Sequence, residues 1–264
     1  MIVKRHIDNG NAFDWGKTSK DYARFRDIYP EEFYQKIVDL GLCTKNQMVL
    51  DLGTGTGVLP RNMYKYGAKF IGADISKNQI EEAKRLSFES QMSIEYIVSA
   101  AETVSYPDEY FDVVTACQCF TYFDKEIVLP KIHRMLKSNG HFCLLFMAWL
   151  PNESEIAKCS ENLVLKFNPS WSGGNMRRYT LGAPEWSKEL YAVDTAITYD
   201  LDVTFTRESW HGRIKTCRGI GASSLSKEEI SAFEKEHLEY LSTVPKTFNI
   251  KHFATILNLC KRAL

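Results

Sequence analysis

Three glycines at alternate positions, directly after a short apolar run, are the part of the chain best suited to approach a ligand. Residues 49–52 read Val-Leu-Asp-Leu and lead into Gly53, Gly55 and Gly57. Such a run predicts a strand buried on both faces, and glycines after it let the backbone approach a ligand that a Cβ would repel. Open α/β sheets bind nucleotides at this end of a strand. The pattern therefore predicts a nucleotide-type ligand beside the glycines.

An acid after the next apolar run fits the same kind of ligand. Asp74 follows residues 69–73 and lies 17 residues past Gly57. An acid there can accept hydrogen bonds from both hydroxyls of a ribose, unless it is an ordinary surface carboxylate. Asp51 is expected to support the glycine turn or to meet an amino group, and the helix N-terminus after the turn would welcome a carboxylate. A nicotinamide dehydrogenase is disfavoured, because its G-x-G-x-x-G fingerprint needs glycine in place of Val58.

Strands and helices alternate along the first part of the chain, which predicts a doubly wound parallel sheet with right-handed crossovers. The predicted strands are residues 49–52, 69–75, 94–98, 111–117, 140–149, 195–203 and 252–260. The predicted helices are two short ones between residues 21 and 40, followed by residues 58–66, 77–87, 128–136 and 226–242. Pro30 is expected at the first position of the second short helix. Ser76 is the predicted N-cap of residues 77–87, and Ser226 with Glu229 is the predicted capping box of residues 226–242. Residues 151–186 are polar and aromatic, and we expect them to form an insertion over the sheet.

The totals exclude several classes of partner. The 264 residues carry 33 basic and 33 acidic side chains, so no net charge attracts nucleic acid or an anionic membrane. Seven cysteines are scattered without a C-x-x-C pair, which disfavours a metal site and fits a reduced, cytoplasmic compartment. No apolar segment follows residues 1–6, and the longest apolar run, residues 142–150, is half a bilayer span, so we expect a soluble and unprocessed protein. The expected partner is a small molecule, and the expected protein is a monomer or homodimer.

The D-x-G-x-G-x-G pattern that begins at Asp51 resembles motif I of the class I S-adenosylmethionine-dependent methyltransferases. Residues 99–102 and 106–114 resemble motifs II and III of that family, and residues 136–142 resemble the turn before its fifth strand. The resemblance spans residues 14–149. It implies a seven-stranded, mostly parallel Rossmann-like sheet. It also implies an N-terminal helical lid (residues 1–41), an S-adenosylmethionine-binding core (42–150), and a segment (151–264) that caps the substrate and completes the sheet.

The resemblance also implies which residues hold the cofactor and its product, S-adenosylhomocysteine. Many relatives place an aspartate at the position of Ala100, so adenine is expected to meet backbone amides near Ala101 and Glu102 or another side chain. Residues 22–30 resemble the lid of small-molecule members, in which Tyr22 and Arg26 would close over the methionyl carboxylate; the alternative is a plain amphipathic surface helix. The full predicted cofactor set is Tyr22, Arg26, Asp51, Gly53, Thr54, Gly55, Asp74, Ile75, Gln79, Ala101, Glu102 and Cys117.

Residues 115–124 are expected to face the transferred methyl group. They resemble the A-Q-x-x-H-W-F-D stretch of the trans-aconitate methyltransferase-like branch, with Thr121 where a histidine, the obvious general base, is common. Gln118 would orient the acceptor or the cofactor, or else make a hydrogen bond at the strand end. Cys117 and Cys119 are expected to pack rather than to ligate a metal.

Residues 206–219 place aromatic and imidazole groups among four cations. One interpretation is a pocket for an anionic substrate with Arg213 in it, because guanidinium groups match carboxylates. The other is a solvated basic helix face with Trp210 buried. For a phenol or amine acceptor His211 is the best candidate base, whereas His133 is expected on a helix surface. Five aromatic residues could roof the acceptor or form the insertion's own core: Trp149, Phe167, Trp171, Tyr179 and Trp186.

The sequence therefore predicts an enzyme that transfers a methyl group from S-adenosylmethionine to a small molecule by in-line displacement, without metal or covalent nucleophile. Carboxylate, hydroxyl and nitrogen acceptors are all compatible with the sequence and are preferred in that order. A carboxylate comes first because it needs no general base. The alternatives are a quinone-precursor C-methyltransferase, then a non-catalytic S-adenosylmethionine-binding regulatory protein or partner subunit, and third a dehydrogenase.

Overall fold

A seven-stranded sheet flanked by helices forms the framework of the computed structural model, which describes residues 1–263. The strands are β1 (Met48–Leu52), β2 (Lys69–Asp74), β3 (Glu95–Val98), β4 (Phe111–Cys117), β5 (Leu136–Trp149), β6 (Tyr191–Thr206) and β7 (Thr247–Lys261). Their order is β3-β2-β1-β4-β5-β7-β6, and the pairs from β3 to β5 are parallel. The predicted doubly wound, mostly parallel sheet is confirmed.

Eight α-helices connect these strands within the described residues. They are α1 (Ser19–Phe25), α2 (Glu31–Asp39), α3 (Val58–Met63), α4 (Lys77–Glu89), α5 (Lys125–Met135), α6 (Glu155–Phe167), α7 (Arg207–Lys215) and α8 (Lys227–Ser242). The Ser76 side chain accepts from the Gln79 amide at the start of α4, and Ser226 with Glu229 forms a capping box at α8. Both predicted N-terminal signals are confirmed, because each hydroxyl satisfies an amide that the helix leaves free.

Two local predictions were wrong, and one helix was not predicted. Residues 151–186, expected to form an insertion, contain α6, whose start is fixed by the Ser154 side chain accepting from the Ala157 amide. Pro30 lies at the N-cap of α2 rather than at its first position, because its extended ψ of 155° precedes the helix. His133 is 6% exposed rather than on a surface, because its Nε2 lies 2.9 Å from the Arg262 carbonyl oxygen and its ring contacts Tyr191.

The chain divides into two compact units. Unit 1 comprises Met1–Ile28, Ala148–Arg178 and Asp200–Phe253, and unit 2 comprises Tyr29–Met147, Tyr179–Tyr199 and Ala254–Leu264. The residues predicted as one N-terminal lid thus contribute α1 to unit 1 and α2 to unit 2. The predicted division into lid, core and cap remains a prediction.

The core of unit 2 lies between the parallel strands and their helices. Leu50 and Val114 face each other on neighbouring strands and are 0% exposed, and Phe142 on β5 belongs to the same apolar cluster. Because β1, β2 and β4 end together, the chain after each of them emerges at one edge of the sheet. Within the described residues, no helix is both long and apolar enough to span a bilayer.

Candidate active site

The turn between β1 and α3 has a backbone that glycine suits best. Gly53, Gly55 and Gly57 have φ angles of +64°, +57° and +72°, a conformation that side chains other than glycine rarely adopt. A Cβ on Gly57 would lie 2.3 Å from the Tyr96 hydroxyl oxygen, and one on Gly53 would lie 2.7 Å from the Cys119 Sγ. The glycines are therefore required by their own φ angles and by the packing behind the turn.

Asp74 holds the turn in place from the end of β2. Its Oδ2 accepts from the Gly55 amide at 2.9 Å, and its Oδ1 accepts from the Ser76 amide at 2.8 Å. Burial raises the pKa of the Asp74 carboxyl, and these two amide hydrogen bonds oppose the rise. The acid that the sequence assigned to a ribose is thus part of the wall of the turn itself.

Asp51 lies behind the turn and is 1% exposed. Its Oδ1 accepts from the Thr115 hydroxyl at 2.7 Å, across the pairing of β1 with β4. Burial raises the pKa of Asp51 to about 6, although hydrogen bonds from Thr54 and Thr115 lower it and the charge of Asp74 raises it further. A buried acid of this kind is most readily ionised when a cation lies nearby.

The ends of β2 and β3 present apolar side chains beside the turn. Asp74 pairs with Val98, and the neighbouring Ile75 is 59% exposed while Val98 is 53% exposed. Exposed aliphatic groups at adjacent strand ends can cover the face of a flat ring. Ala101 follows, 9% exposed.

Of two further residues predicted to bind the cofactor, Glu102 is partly buried and Gln79 is buried. Glu102 accepts from the Asp124 amide through its carboxylate and from Lys131 through its carbonyl oxygen. Gln79 is 2% exposed in the first turn of α4. Their roles remain predictions.

The end of β4 is fixed by three side chains. Gln118 has a φ of +66°, and its amide nitrogen donates to the Met147 carbonyl oxygen, which is the strand-end hydrogen bond that the sequence left as an alternative. The Cys119 thiol donates to the Leu52 carbonyl oxygen at 3.0 Å, and the Cys117 thiol to the Tyr29 hydroxyl at 3.6 Å. All seven cysteines are free thiols, and residues 1–263 contain no cluster of three or more potential metal ligands.

Comparison with known proteins identifies this arrangement. Residues 50–144 match the family of methyltransferase domains. A Dictyostelium discoideum protein named as a methyltransferase is 32% identical over 136 residues, which are 51% of this chain and 49% of that protein. The ubiquinone biosynthesis O-methyltransferase of Bartonella bacilliformis is 28% identical over 169 residues, covering 62% of this chain and 66% of that enzyme. Residues 50–144 of this chain are therefore assigned to a methyltransferase domain of the class I, S-adenosylmethionine-dependent type.

A solved structure shares the methyltransferase fold. YcgJ of Bacillus subtilis superposes with a TM-score of 0.56 at 20% identity, covering 89% of this chain and 100% of YcgJ. The chain matches about half to two thirds of the length of the two sequence relatives. The domain is therefore shared with these proteins, while their activities belong to them.

Unit 1 contains the predicted lid residues, each in a contact within that unit. Arg26 donates through Nε to the Thr216 hydroxyl at 3.1 Å and through Nη2 to the Thr216 carbonyl oxygen at 2.9 Å. Its guanidinium also lies over the rings of Trp15 and Tyr22. These contacts fix α1 against the end of α7, and a role of Tyr22 and Arg26 in cofactor binding remains a prediction.

The four cations of residues 206–219 have separate partners. Arg207 donates to the Val244 carbonyl oxygen, Lys215 pairs with Asp21 and Glu234, Arg218 pairs with Asp8, and the Arg213 guanidinium lies 4.8 Å from the Trp149 ring centroid. Arg213 is 8% exposed and Trp210 is 0% exposed. Helix α7 is therefore neither a solvated basic face nor a group of four cations around one anion, and the assignment of Arg213 to an anionic acceptor remains a prediction.

His211 belongs to a buried polar chain in unit 1 that includes residues the sequence did not single out. Its Nδ1 lies 3.0 Å from Nδ1 of His237, and Nε2 of His237 lies 3.0 Å from the Ser160 hydroxyl. Trp210 donates to the same hydroxyl at 2.9 Å. Burial lowers the pKa of His211, with Glu234 and Asp21 opposing this and Lys215 adding to it. It also lowers the pKa of His237 to about 3.

The aromatic residues of the insertion fall into two groups. Trp149 and Trp171 are 7% and 6% exposed, and Trp149 donates to Glu161 at 2.6 Å, so they belong to the core of unit 1. Tyr179 and Trp186 are 41% and 43% exposed, and Phe167 packs edge-on against Phe233. A roof over an acceptor remains a prediction for this set.

Two residues near the glycine turn and the end of β4 were not predicted from the sequence as part of the site. Tyr96 packs against Gly57 and Gly72, and its hydroxyl bonds Ser87 at 2.9 Å. Tyr29 meets Cys117 from the segment before α2. Neither residue carries a motif, although an aromatic residue on a strand opposite two glycines is a signal that could have indicated Tyr96.

Proposed function

We propose that this protein transfers the methyl group of S-adenosylmethionine to an oxygen atom of a small-molecule acceptor. The observation that carries the proposal is the bond between Asp74 and the Gly55 amide, because it joins an acid at the end of β2, where an acid can bind a ribose, to the glycine turn after β1. When bound, the sulfonium supplies an activated methyl group that needs no metal or covalent intermediate.

The residues of unit 2 fit that cofactor. Asp74 would accept the ribose hydroxyls, and Ile75 with Val98 would cover the adenine faces. A Cβ on Gly53 or Gly57 would strike Cys119 or Tyr96, so the close packing behind the turn requires glycine at both positions. Asp51 would supply a negative charge behind the turn for the cationic part of the ligand. Alignment of acceptor and methyl group, together with exclusion of water, is then the main work of the protein.

Oxygen is favoured as the acceptor atom on one ground. The Bartonella bacilliformis relative is named as an O-methyltransferase of ubiquinone biosynthesis, and its match covers 62% of this chain. Both carboxylates and hydroxyl groups are oxygen acceptors.

The test is methyl transfer from labelled S-adenosylmethionine to panels of carboxylic acids, phenols, aliphatic alcohols and amines. We expect label in at least one acid or hydroxyl compound, with an equal amount of S-adenosylhomocysteine formed. The Asp74→Ala variant should bind the cofactor more weakly and transfer less label at a limiting cofactor concentration. Tight cofactor binding by the unmodified protein without transfer to any compound would support the non-catalytic alternative, and label on a carbon atom would support the quinone-precursor alternative.

A further inference from the structure

The side chain of Tyr96 reaches across the sheet from β3 to the glycine turn. In the pairing of the parallel strands, Asp51, Gly72 and Tyr96 stand in one row across β1, β2 and β3. Neighbours in such a row share one face of the sheet, and Tyr96 starts about 10 Å from β1, which is two strand spacings. Its hydroxyl oxygen nevertheless meets the position that a Cβ of Gly57 would occupy, in the turn after β1. The ring therefore passes over β2 to reach the turn.

Gly72 leaves the path of this ring open. A Cβ at position 72 would lie 2.8 Å from Cδ1 of Tyr96 and 2.8 Å from the hydroxyl oxygen of Thr54, which belongs to the glycine turn. Gly72 lies inside β2 and, unlike Gly57, does not have the positive φ that favours glycine. A glycine inside a strand weakens the strand and often marks the close approach of another group. The approaching groups here are the ring of Tyr96 and the side chain of Thr54, so Gly72 is required by packing against the turn.

A hydrogen bond fixes the far end of the Tyr96 ring. The Tyr96 hydroxyl lies 2.9 Å from the Ser87 hydroxyl on α4, and both side chains are buried. Burial raises the pKa of Tyr96 to about 12, although the hydrogen bond with Ser87 and the charge of Arg61 lower it and the charge of Asp51 raises it. The phenol therefore keeps its hydrogen at neutral pH. The ring is held at one end by the backbone of β3 and at the other end by α4.

We propose that Tyr96 is a positioning residue of the cofactor site, and that its ring, anchored on Ser87 and passing over Gly72, supports the glycine turn at Gly57. The inference rests on the proposed function. Asp74 holds the same turn by its hydrogen bond with the Gly55 amide, whereas Tyr96 limits by contact how far Gly57 can move toward the ring. If the ring were lost or displaced, the turn would be less ordered before binding. A ligand of the turn would then bind less tightly, because binding would have to order the turn.

A purely structural role of Tyr96 makes a different prediction. A buried tyrosine that only fills the core should change the unfolding free energy when it is altered and should leave ligand affinity unchanged. Tyr191 is the matched example in the same compact unit, because it is 2% exposed and its hydroxyl donates to the Leu129 carbonyl oxygen at 2.8 Å. Its ring packs against His133 and Phe142, neither of which belongs to the glycine turn. Tyr191→Phe is therefore the control for Tyr96→Phe.

Titration calorimetry with S-adenosylhomocysteine separates the two roles. Tyr96→Phe and Ser87→Ala should each raise the dissociation constant about fivefold, and the double variant should raise it no further, because all three remove the same hydrogen bond. Gly72→Ala displaces the whole ring and should raise the dissociation constant about tenfold or more. Tyr191→Phe should lower the unfolding free energy but keep the affinity within about twofold of the unmodified protein. Affinity within about twofold in both Tyr96→Phe and Gly72→Ala would overturn the inference. If Gly72→Ala does not fold, Tyr96→Phe and Ser87→Ala decide.

Amide hydrogen exchange measures the order of the turn without any ligand. The Gly57 amide donates to the Thr54 carbonyl oxygen at 2.9 Å, so it is protected only while the turn is formed. Tyr96→Phe and Gly72→Ala should speed its exchange about fivefold or more, whereas the Gly67 amide, in another turn, should exchange as before. Unchanged exchange at Gly57 in both variants would overturn the inference. Absence of S-adenosylhomocysteine binding by the unmodified protein would count against the proposed function, and the exchange rates would still report separately whether Tyr96 supports the turn.

Discussion

The carboxylate of Asp74 accepts a hydrogen bond from the backbone amide of Gly55 across 2.9 Å, so the predicted ribose acid and the glycine turn form one structure. The second oxygen of the same carboxylate binds the amide of Ser76, which begins α4. One side chain therefore fixes two loops that follow neighbouring strands, and a ligand that bonded Asp74 would contact both.

Replacing Asp74 should weaken cofactor binding both directly and through the turn. We expect Asp74→Ala to raise the dissociation constant for S-adenosylhomocysteine by an amount equivalent to about 1.5–3 kcal/mol, because charge-assisted hydrogen bonds are lost. Titration calorimetry measures this. Asp108→Ala, which removes a 69% exposed carboxylate paired with Arg134, is the control and should leave affinity unchanged. Equal affinity in both variants would contradict the ribose assignment.

Gly57 allows the steric effect of an added side chain to be measured separately from the effect of backbone conformation. Gly57 and Gly41 have nearly the same φ, +72° and +74°, but a Cβ would strike Tyr96 only at Gly57 and meets nothing within 4 Å at Gly41. We expect Gly41→Ala to cost about 1 kcal/mol of unfolding free energy and no cofactor affinity. Gly57→Ala should lower affinity at least tenfold.

The double variant Gly57→Ala with Tyr96→Phe removes the hydroxyl that the new methyl group would strike. It should recover part of the affinity in the same calorimetric titration. If the double variant binds no better than Gly57→Ala alone, the contact with Tyr96 is not the reason for the glycine.

The ionised Asp51 side chain should stabilise the complex with the cofactor and destabilise the folded protein when no cofactor is bound. Its pKa is raised from 3.8 to about 6, so the folded state holds the proton more tightly than the unfolded state. Its contribution to stability therefore falls as pH rises from about 4 to 6, by about 3 kcal/mol in total. Asp51→Asn should raise the unfolding free energy of the free protein at pH 7 by about 1–3 kcal/mol, should change it little at pH 4, and should weaken cofactor binding. Urea denaturation at both pH values measures the difference, and a gain of equal size at pH 4 would rule out titration as its cause.

Buried histidines should make the protein less stable in acid. Burial lowers the pKa of His237 to about 3 and that of His252 to about 4, against 6.5 in the unfolded chain. Below pH 6.5 the unfolded state binds more protons, so stability should fall by up to about 1.4 kcal/mol per pH unit for each histidine. His252→Gln should remove about half of this slope between pH 6.5 and 5 in denaturation curves. His6→Gln, at an exposed position, should keep the full slope.

The ion pair of Asp8 and Arg218 should matter far more than the exposed pairs. Their side chains are 4% and 13% exposed, and Asp8 also accepts from the Ser172 amide and hydroxyl. Asp8→Asn should lower the unfolding free energy by about 3 kcal/mol, because Arg218 keeps a buried charge without its partner. Glu208→Gln, which breaks a pair with Arg24 that is more than 60% exposed on both sides, should cost under about 1 kcal/mol. Similar losses in the two variants would contradict this account.

Local signals in the sequence were sufficient for the parallel strands and their helices. The buried run before Gly53 and the capping residues Ser76 and Ser226 each act through neighbours within a few residues. The acid at position 74 acts within one strand–helix–strand unit, 19 residues from Gly55, so these effects can be predicted from spacing. Helix α6 was missed because residues 151–186 are dominated by glycine, proline and aromatic residues outside the helix. The predicted surface position of His133 was wrong because its partners, Tyr191 and Arg262, lie far away in the chain.

The sequence by itself determined the kind of fold and the kind of cofactor, because a strand, a glycine turn and an acid after the next strand are close in the chain and have the same consequence in any context. Only the tertiary structure decided what the polar residues of unit 1 do. Ser160, His211 and His237 come from three different helices, and 77 residues separate Ser160 from His237, whose ring its hydroxyl contacts. Such an arrangement has no local pattern, because it exists only when packing brings the helices together.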